Sequence, residues 1–435
     1  MWAVISFNRF VSSRISYKGV SAGLLETVCT YIAAPITAPS VLPSWLPVVA
    51  GFLSFVIAWG PATAFGTFQD YYERGPLKNM SSSRISWIGT VNAFLLVATG
   101  VCAGPLFDRG YIKSLIIIGC VTVVFGMMML SLCDTYYQII LSQGVCVGFG
   151  AGLIYVPTLA LVNTSFTGAR RSIANGIVAL GASIGGIIFP IIFLKLEPSI
   201  GFAWTVRTLA FIQLGCSVVI IFCVMTAQSP EPRPPRGLIQ CSAFREPAFT
   251  LYATFAFLFF MAYFIPMFYV PVYAVLQLHT STVTGLYLLA GLNAGSAVGR
   301  MGSVLVAQKL GLANLLVISS AICGILLFAW IPIHSIAGFA AFCVLYGLFS
   351  GVMITVLPML SIHPAISPTP AVAGTRMGML WFFGSLGILI GAPIASALKS
   401  GTGGTFLRLQ IFSGAMSMGG MVFMLAVALI LWKHY

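Results

Sequence analysis

The chain has 435 residues, of which 59% are hydrophobic and only 7% charged, and its mean hydropathy is +1.03. Soluble globular domains are roughly 45–50% apolar, so this composition excludes one and indicates a membrane protein. The net charge of +13 is dispersed over polar breaks rather than gathered in a stripe; it reads as topology signals and contacts with membrane lipid, with no nucleic-acid partner.

Residues 1–46 read as a cytosolic N-terminal tail. They contain Ser and Arg with no acid before Glu26, a weak likeness to a mitochondrial presequence, but Pro35, Pro39 and Pro43 interrupt any helix that follows. Apolar runs then recur near 48–69, 86–107, 114–132, 138–162, 173–194, 203–226, 250–274, 284–307, 313–331, 336–359, 373–397 and 410–432. Each is long enough to cross a hydrocarbon core about 30 Å thick as a helix, and open sheets cannot do so because their edges lack partners in lipid. The expected fold is therefore an all-α membrane protein with twelve transmembrane helices in two six-helix halves. Only Pro332 and His334 separate the ninth and tenth runs, so eleven spans is an open alternative.

Cytoplasmic loops concentrate Lys and Arg. With the N-terminus inside, 13 of the 21 basic residues fall on the inner side and 6 on the outer, leaving Arg207 and Arg300 within spans. Both termini are then cytosolic. So is the segment 227–249 with "QSPEPRPPRG", a semi-rigid Pro-rich linker between a half at 47–226 and a half at 250–435. Asn79-Met80-Ser81 fits a glycosylation sequon in a short outer loop. The 10 cysteines contain no CxxC pair and lie mostly inside spans, which points to small packing residues and to neither disulfide framework nor metal site.

"NGIVALGASIGGIIFP" (175–190) in span 5 and "GMLWFFGSLGILIGAP" (378–393) in span 11 share small residues at like spacing and a closing Pro. Two halves of like design are a transporter arrangement, with a site at their interface; close helix packing alone accounts for the pattern equally well.

"GPLFDRGYIK" (104–113), at the inner end of span 2, resembles the Gly-x-x-x-Asp-Arg signature of the major facilitator superfamily. "SWIGTVNAFLLVATGVCAGPLFDRGY" (86–111), "QGVCVGFGAGLIYVP" (143–157), "NAGSAVGR" (293–300) and "GTRMGM" (374–379) look like its fungal monocarboxylate-porter branch. The resemblance implies the major facilitator fold and gating roles for Gly104, Asp108, Arg109 and Arg376. It further implies that spans 1, 4, 7 and 10 line the solute path. Departures accompany the likeness: the usual acid ahead of span 1 is absent from "PSVLPSWLP" (39–47). Ser296 stands where characterised monocarboxylate porters carry an intramembrane Asp, and the second-half counterpart of Asp108 reads as Gln308.

All eight acids fall in tails, loops or span ends, and so do His279, His334, His363 and His434. Arg300 is the charge that lies deep, where its planar fork suits a carboxylate or other planar anion; snorkelling towards the inner face is the competing reading. Arg207, at the outer start of span 6, reads as snorkelling. With Asn293 beside Arg300, and Trp59, Tyr155, Tyr263, Tyr269 and Tyr346 on the path-lining spans, the expected substrate site is aromatic with a single cation, although each aromatic taken alone reads equally as packing.

No catalytic constellation, metal cluster or phosphate-cradling loop is present, so neither an enzyme nor a transport ATPase is expected, and no cofactor. The expected function is secondary transport of a small organic solute, a monocarboxylate or a similar weakly anionic or aromatic metabolite, by alternating access. Export of a secondary metabolite or drug is the alternative, and a transporter-fold nutrient receptor is the reading from another class. The expected membrane is the plasma membrane; oligomeric state, monomer or otherwise, has no signal here.

Overall fold

Within lipid every backbone donor and acceptor has to be satisfied inside the protein, so apolar runs fold as helices. The computed structural model describes residues 41–166, 168–227, 232, 234–400 and 405–432, and among them there is no strand. Most of the expected tail, the sequence around Glu231 and Arg233, and His434 lie outside the described residues.

Span 1 is Val41–Thr63 continued by Phe65–Arg74. Span 2 is Ser82–Asp108, span 3 Ile112–Leu130, and span 4 runs from Tyr136–Ile139 through a π-helical segment, Ile140–Val147, into Gly148–Ser165. Gly168–Thr226 holds spans 5 and 6, divided at Gly201, whose φ of 74° a residue with a Cβ adopts only under strain. The second half is Pro247–Leu276, Thr282–Leu310, Leu312–Ala329, Ile336–Leu360, Pro370–Ser400 and Leu407–Trp432, spans 7 to 12. Ten helical runs meet a length and hydropathy standard for crossing a membrane. One of them, Ile173–Thr226, contains two spans, and Thr282–Leu310, lowered by its polar residues, completes the twelve. The separation of spans 9 and 10 falls at residues 330–335, with Ser335 capping span 10 by accepting from the Gly338 amide at 3.1 Å.

The helix starts differ from the sequence expectation at one place that matters. Span 1 begins at Val41 and runs to Arg74, not 48–69, so Gln69, Asp70 and Glu73 belong to its last turns. Asp70 and Glu73 lower local hydropathy and read as a loop, yet Asp70 is buried beside Gln69.

Small residues set the helix contacts, as expected where lipid offers no hydrophobic drive for association. A Cβ on Gly185 would stand 2.6 Å from the Val56 carbonyl oxygen of span 1, and one on Gly391 would collide with the Met261 carbonyl oxygen of span 7. The two Gly-rich stretches thus perform one task in both halves, seating span 5 on span 1 and span 11 on span 7. The same sequence offset separates Asn92 from Asn293, and the positive-φ loop glycine Gly110 from its counterpart Gly311. That register sets Asp108 against Lys309, one position beyond the expected Gln308.

Prolines free carbonyls that polar side chains then use. Pro61 leaves the Ile57 carbonyl without a helical donor, and the Gln213 amide of span 6 reaches it at 3.5 Å. Pro190 does the same for Gly186, which accepts from Asn293 of the other half at 3.2 Å.

Candidate functional site

The seam between the halves is built from spans 1 and 5 against spans 7 and 8, and from span 2 against span 11. Trp59, Tyr155, Tyr263, Tyr269, Tyr346, Asn293 and Arg300 are all buried, none more than 6% exposed. The seam is therefore closed around them.

Two groups form its middle. On the first half, Tyr155 of span 4 meets Trp59 of span 1 edge-on, ring centroids 5.6 Å apart at 81°, and Phe55 in the same manner at 5.8 Å. The Trp59 indole nitrogen is buried without a hydrogen-bond partner. On the second half, the Tyr346 hydroxyl of span 10 donates to the Tyr263 carbonyl of span 7 at 3.2 Å, and the Tyr263 side chain faces the Arg300 guanidinium.

Arg300 reaches from span 8 across the seam. Its Nε donates to the Ser296 hydroxyl at 3.3 Å and its Nη1 to the Ala179 carbonyl of span 5 at 3.4 Å. Asn293 makes the companion crossing to Gly186, so spans 5 and 8 are joined at two levels about 10 Å apart, seven residues along each helix. Arg300 belongs to none of the ion pairs among the described residues. At 4% exposure it does not snorkel. By contrast Arg207 sits at the edge, over the Trp204 ring at 4.8 Å and bonded to the Ser131 hydroxyl at 3.1 Å.

At the Asp108 end, the carboxylate receives Arg236, not the adjacent Arg109, which is exposed. The Arg236 Nε and Nη2 donate to its two oxygens at 2.5 and 2.6 Å, and the Arg236 amide adds a third bond at 3.3 Å. The guanidinium lies over Gly104 of span 2 and Gly374 of span 11; a Cβ on Gly374 would stand 2.9 Å from it. The first glycine of "GTRMGM" thus leaves room for that guanidinium.

Arg376, 2% exposed, anchors the far side of the same strap. It donates to both Glu246 oxygens at 2.5 and 2.6 Å, to the Gln240 side chain at 3.0 Å and to the Ile366 carbonyl at 2.5 Å. The Arg376 hydrogen bonds hold the Glu246 carboxyl below its ordinary range. Segment 234–246 thus ties span 2 to span 11 through Arg236, Gln240 and Glu246.

Tyr269 does not join the Arg300 group. It lies at the other end, where Arg74 pairs with the buried Asp70 and donates to the Thr282 hydroxyl of span 8 at 3.2 Å. Lys399, counted from sequence as a loop cation, is 6% exposed in the last turn of span 11, its ammonium 5.6 Å from the Tyr269 ring centroid. Arg236, Gln240, Glu246, Gln69, Glu73 and Lys399 were all missed as site residues. The sequence signal for Gln69 and Glu73 is weak: Phe65, Phe68 and Tyr72 continue the apolar face of span 1 past residue 69.

Two surface clefts of about 300 and 340 Å³ lie between spans 3 and 6 and between spans 3 and 4. No candidate residue lines either.

Comparison with known proteins agrees with this architecture. The sequence model of the Major Facilitator Superfamily matches residues 47–392. The "MFS-type transporter dbaD" of Emericella nidulans is 38% identical over 82% of this chain and 80% of its own length. The "Fujikurins efflux protein" of Gibberella fujikuroi is 36% identical, covering 87% of this chain and 80% of its own. The "Aspyridones efflux protein apdF" of Emericella nidulans is 38% identical over 87% and 76%. Two of these three names state efflux, and none names a monocarboxylate porter.

Proposed function

The chain belongs to the major facilitator superfamily, and from that premise we propose that it is a secondary transporter exporting an amphiphilic organic anion by alternating access. Its work is transport, not catalysis. The observation that carries the reading is Arg300, a cation buried at the seam that donates to a hydroxyl and a carbonyl rather than to a carboxylate. A buried unpaired charge is costly, and an anionic solute supplies the missing counter-charge. The fork of donors fits a planar acidic group, while Trp59, Tyr155, Tyr263 and Tyr346 provide walls for an apolar body.

Export, rather than uptake, is supported by the efflux names of the relatives. A small monocarboxylate is the second reading, because Arg300 with Ser296 beside it fits one carboxylate without any need for a large body. In both readings the plasma membrane is the site of action. The termini and the Asp108 end face the cytosol, on the bias of basic residues.

The test is metabolite profiling inside and outside cells with and without the protein. Loss of the protein is expected to retain an acidic, largely apolar compound inside. Retention of neutral compounds alone contradicts the anion reading, and reduced uptake of a small monocarboxylate favours the second.

A further inference from the structure

Lys399 stands in the last turn of span 11, where a lysine ordinarily extends its head into water. Here it is 6% exposed, with its ammonium 4.7 Å from the Phe406 ring centroid and 5.6 Å from that of Tyr269. Beside it, spans 1, 7 and 11 bring together Gln69, Tyr269 and Ser396, each fully buried. The Gln69 amide donates to Glu73 at 3.0 Å, but its Oε1 and the Tyr269 hydroxyl are buried without a hydrogen-bond partner of ordinary geometry. Glu73 is the carboxylate facing Lys399, and Asp70 is taken up by Arg74.

The position is related to the central site through span 7. Tyr263 faces Arg300 and Tyr269 faces Lys399, six residues apart on one helix, or about 9 Å along its axis. We propose that Lys399, with Tyr269 and Gln69, is a second anion-binding subsite that takes the solute's acidic group from Arg300 on its way out. The arriving group competes with Glu73 for the ammonium and meets the Tyr269 hydroxyl as a ready donor, while Tyr269 and Phe406 receive the apolar body. Two cations in series lower the cost of an acid leaving Arg300 before it reaches water.

The test uses the full chain in vesicles of uniform orientation, scored by protease access to a C-terminal tag. Half-saturating concentrations of dansylglycine, an aromatic carboxylate, and of its uncharged amide are measured on each face. The proteins are wild type, Arg300→Gln, Lys399→Gln and Lys399→Arg. At the Lys399 face, Lys399→Gln is expected to cut the preference for anion over amide about tenfold, the loss of one charge-assisted bond. At the Asp108 face the preference persists, and Lys399→Arg restores it at the Lys399 face. A Lys399→Gln protein with wild-type preference on both faces, or with equal loss on both, overturns the subsite. The inference rests on the organic-anion reading of Arg300. A wild type that does not distinguish anion from amide contradicts that reading and this one with it. A preference abolished by Arg300→Gln and untouched by Lys399→Gln overturns the subsite alone.

Discussion

Arg236 grips Asp108 with both prongs of its guanidinium, at 2.5 and 2.6 Å, although 128 residues separate them in the chain. One partner ends span 2 in the first half; the other belongs to the connection between the halves and rests on Gly374 of span 11. The bond therefore ties the end of span 2 to the strap that Arg376 holds on span 11, and an opening there has to release either this grip or the Arg376 contacts.

Removing this grip is expected to shift the balance of states rather than unfold the protein. Asp108→Asn and Arg236→Gln should each insert at near-normal levels and reduce turnover sharply, by the factor that about 1–3 kcal/mol of lost charge-assisted bonding implies. The double variant should be no worse than either single one. Unchanged transport in Asp108→Asn would return that residue to a topology signal.

The neighbouring strap pair carries a pH signature. Glu246 is held below its ordinary value of 4.5 by Arg376, so the pair contributes stability above that value and loses it as pH falls through the lowered one. Because the Glu246 side chain is 37% exposed, solvent screening limits this to about 1 kcal/mol or less. Thermal unfolding of wild type and Glu246→Gln in lipid nanodiscs should differ near pH 7 and converge towards pH 3. Equal melting at both pH values would show that the pair holds nothing.

The matched glycine seats make a packing prediction. Gly391→Val places a side chain against the Met261 backbone and should cost on the order of 1–3 kcal/mol or block folding. Gly302→Ala meets nothing within 4 Å and should be neutral. Yield and melting temperature of the two proteins decide it.

Much of this arrangement was legible in the sequence because hydropathy reports lipid exposure directly. The twelve spans followed from where polar residues interrupt apolar runs, and the burial of Arg300 agrees with its place inside one of them. The same logic failed where polar residues are buried against other polar residues. Asp70 looked like a loop residue because its burial depends on spans that lie far along the chain, and Lys399 looked like a topology signal for the same reason. Arg236, in a Pro-rich stretch with no periodicity, gave no hint that it, and not Arg109, would meet Asp108. Partners of that kind are fixed by tertiary approach, which residue spacing does not encode.

Topology is open to direct measurement. Tags inserted near Pro234 and at both termini should be reached only after cells are permeabilised, as the bias of basic residues predicts. Labelling of the Pro234 tag on intact cells would invert the orientation and place the Lys399 end inside.

The central claim is that Arg300 receives the acidic group of the exported solute. Its most direct test is efflux of radiolabelled 1-naphthoate from proteoliposomes bearing wild type, Arg300→Lys or Arg300→Gln. The account predicts rapid efflux from wild type and a loss of about tenfold or more in Arg300→Lys, which keeps the charge but not the two-pronged geometry, with Arg300→Gln lower still. Wild-type efflux by Arg300→Gln would contradict it.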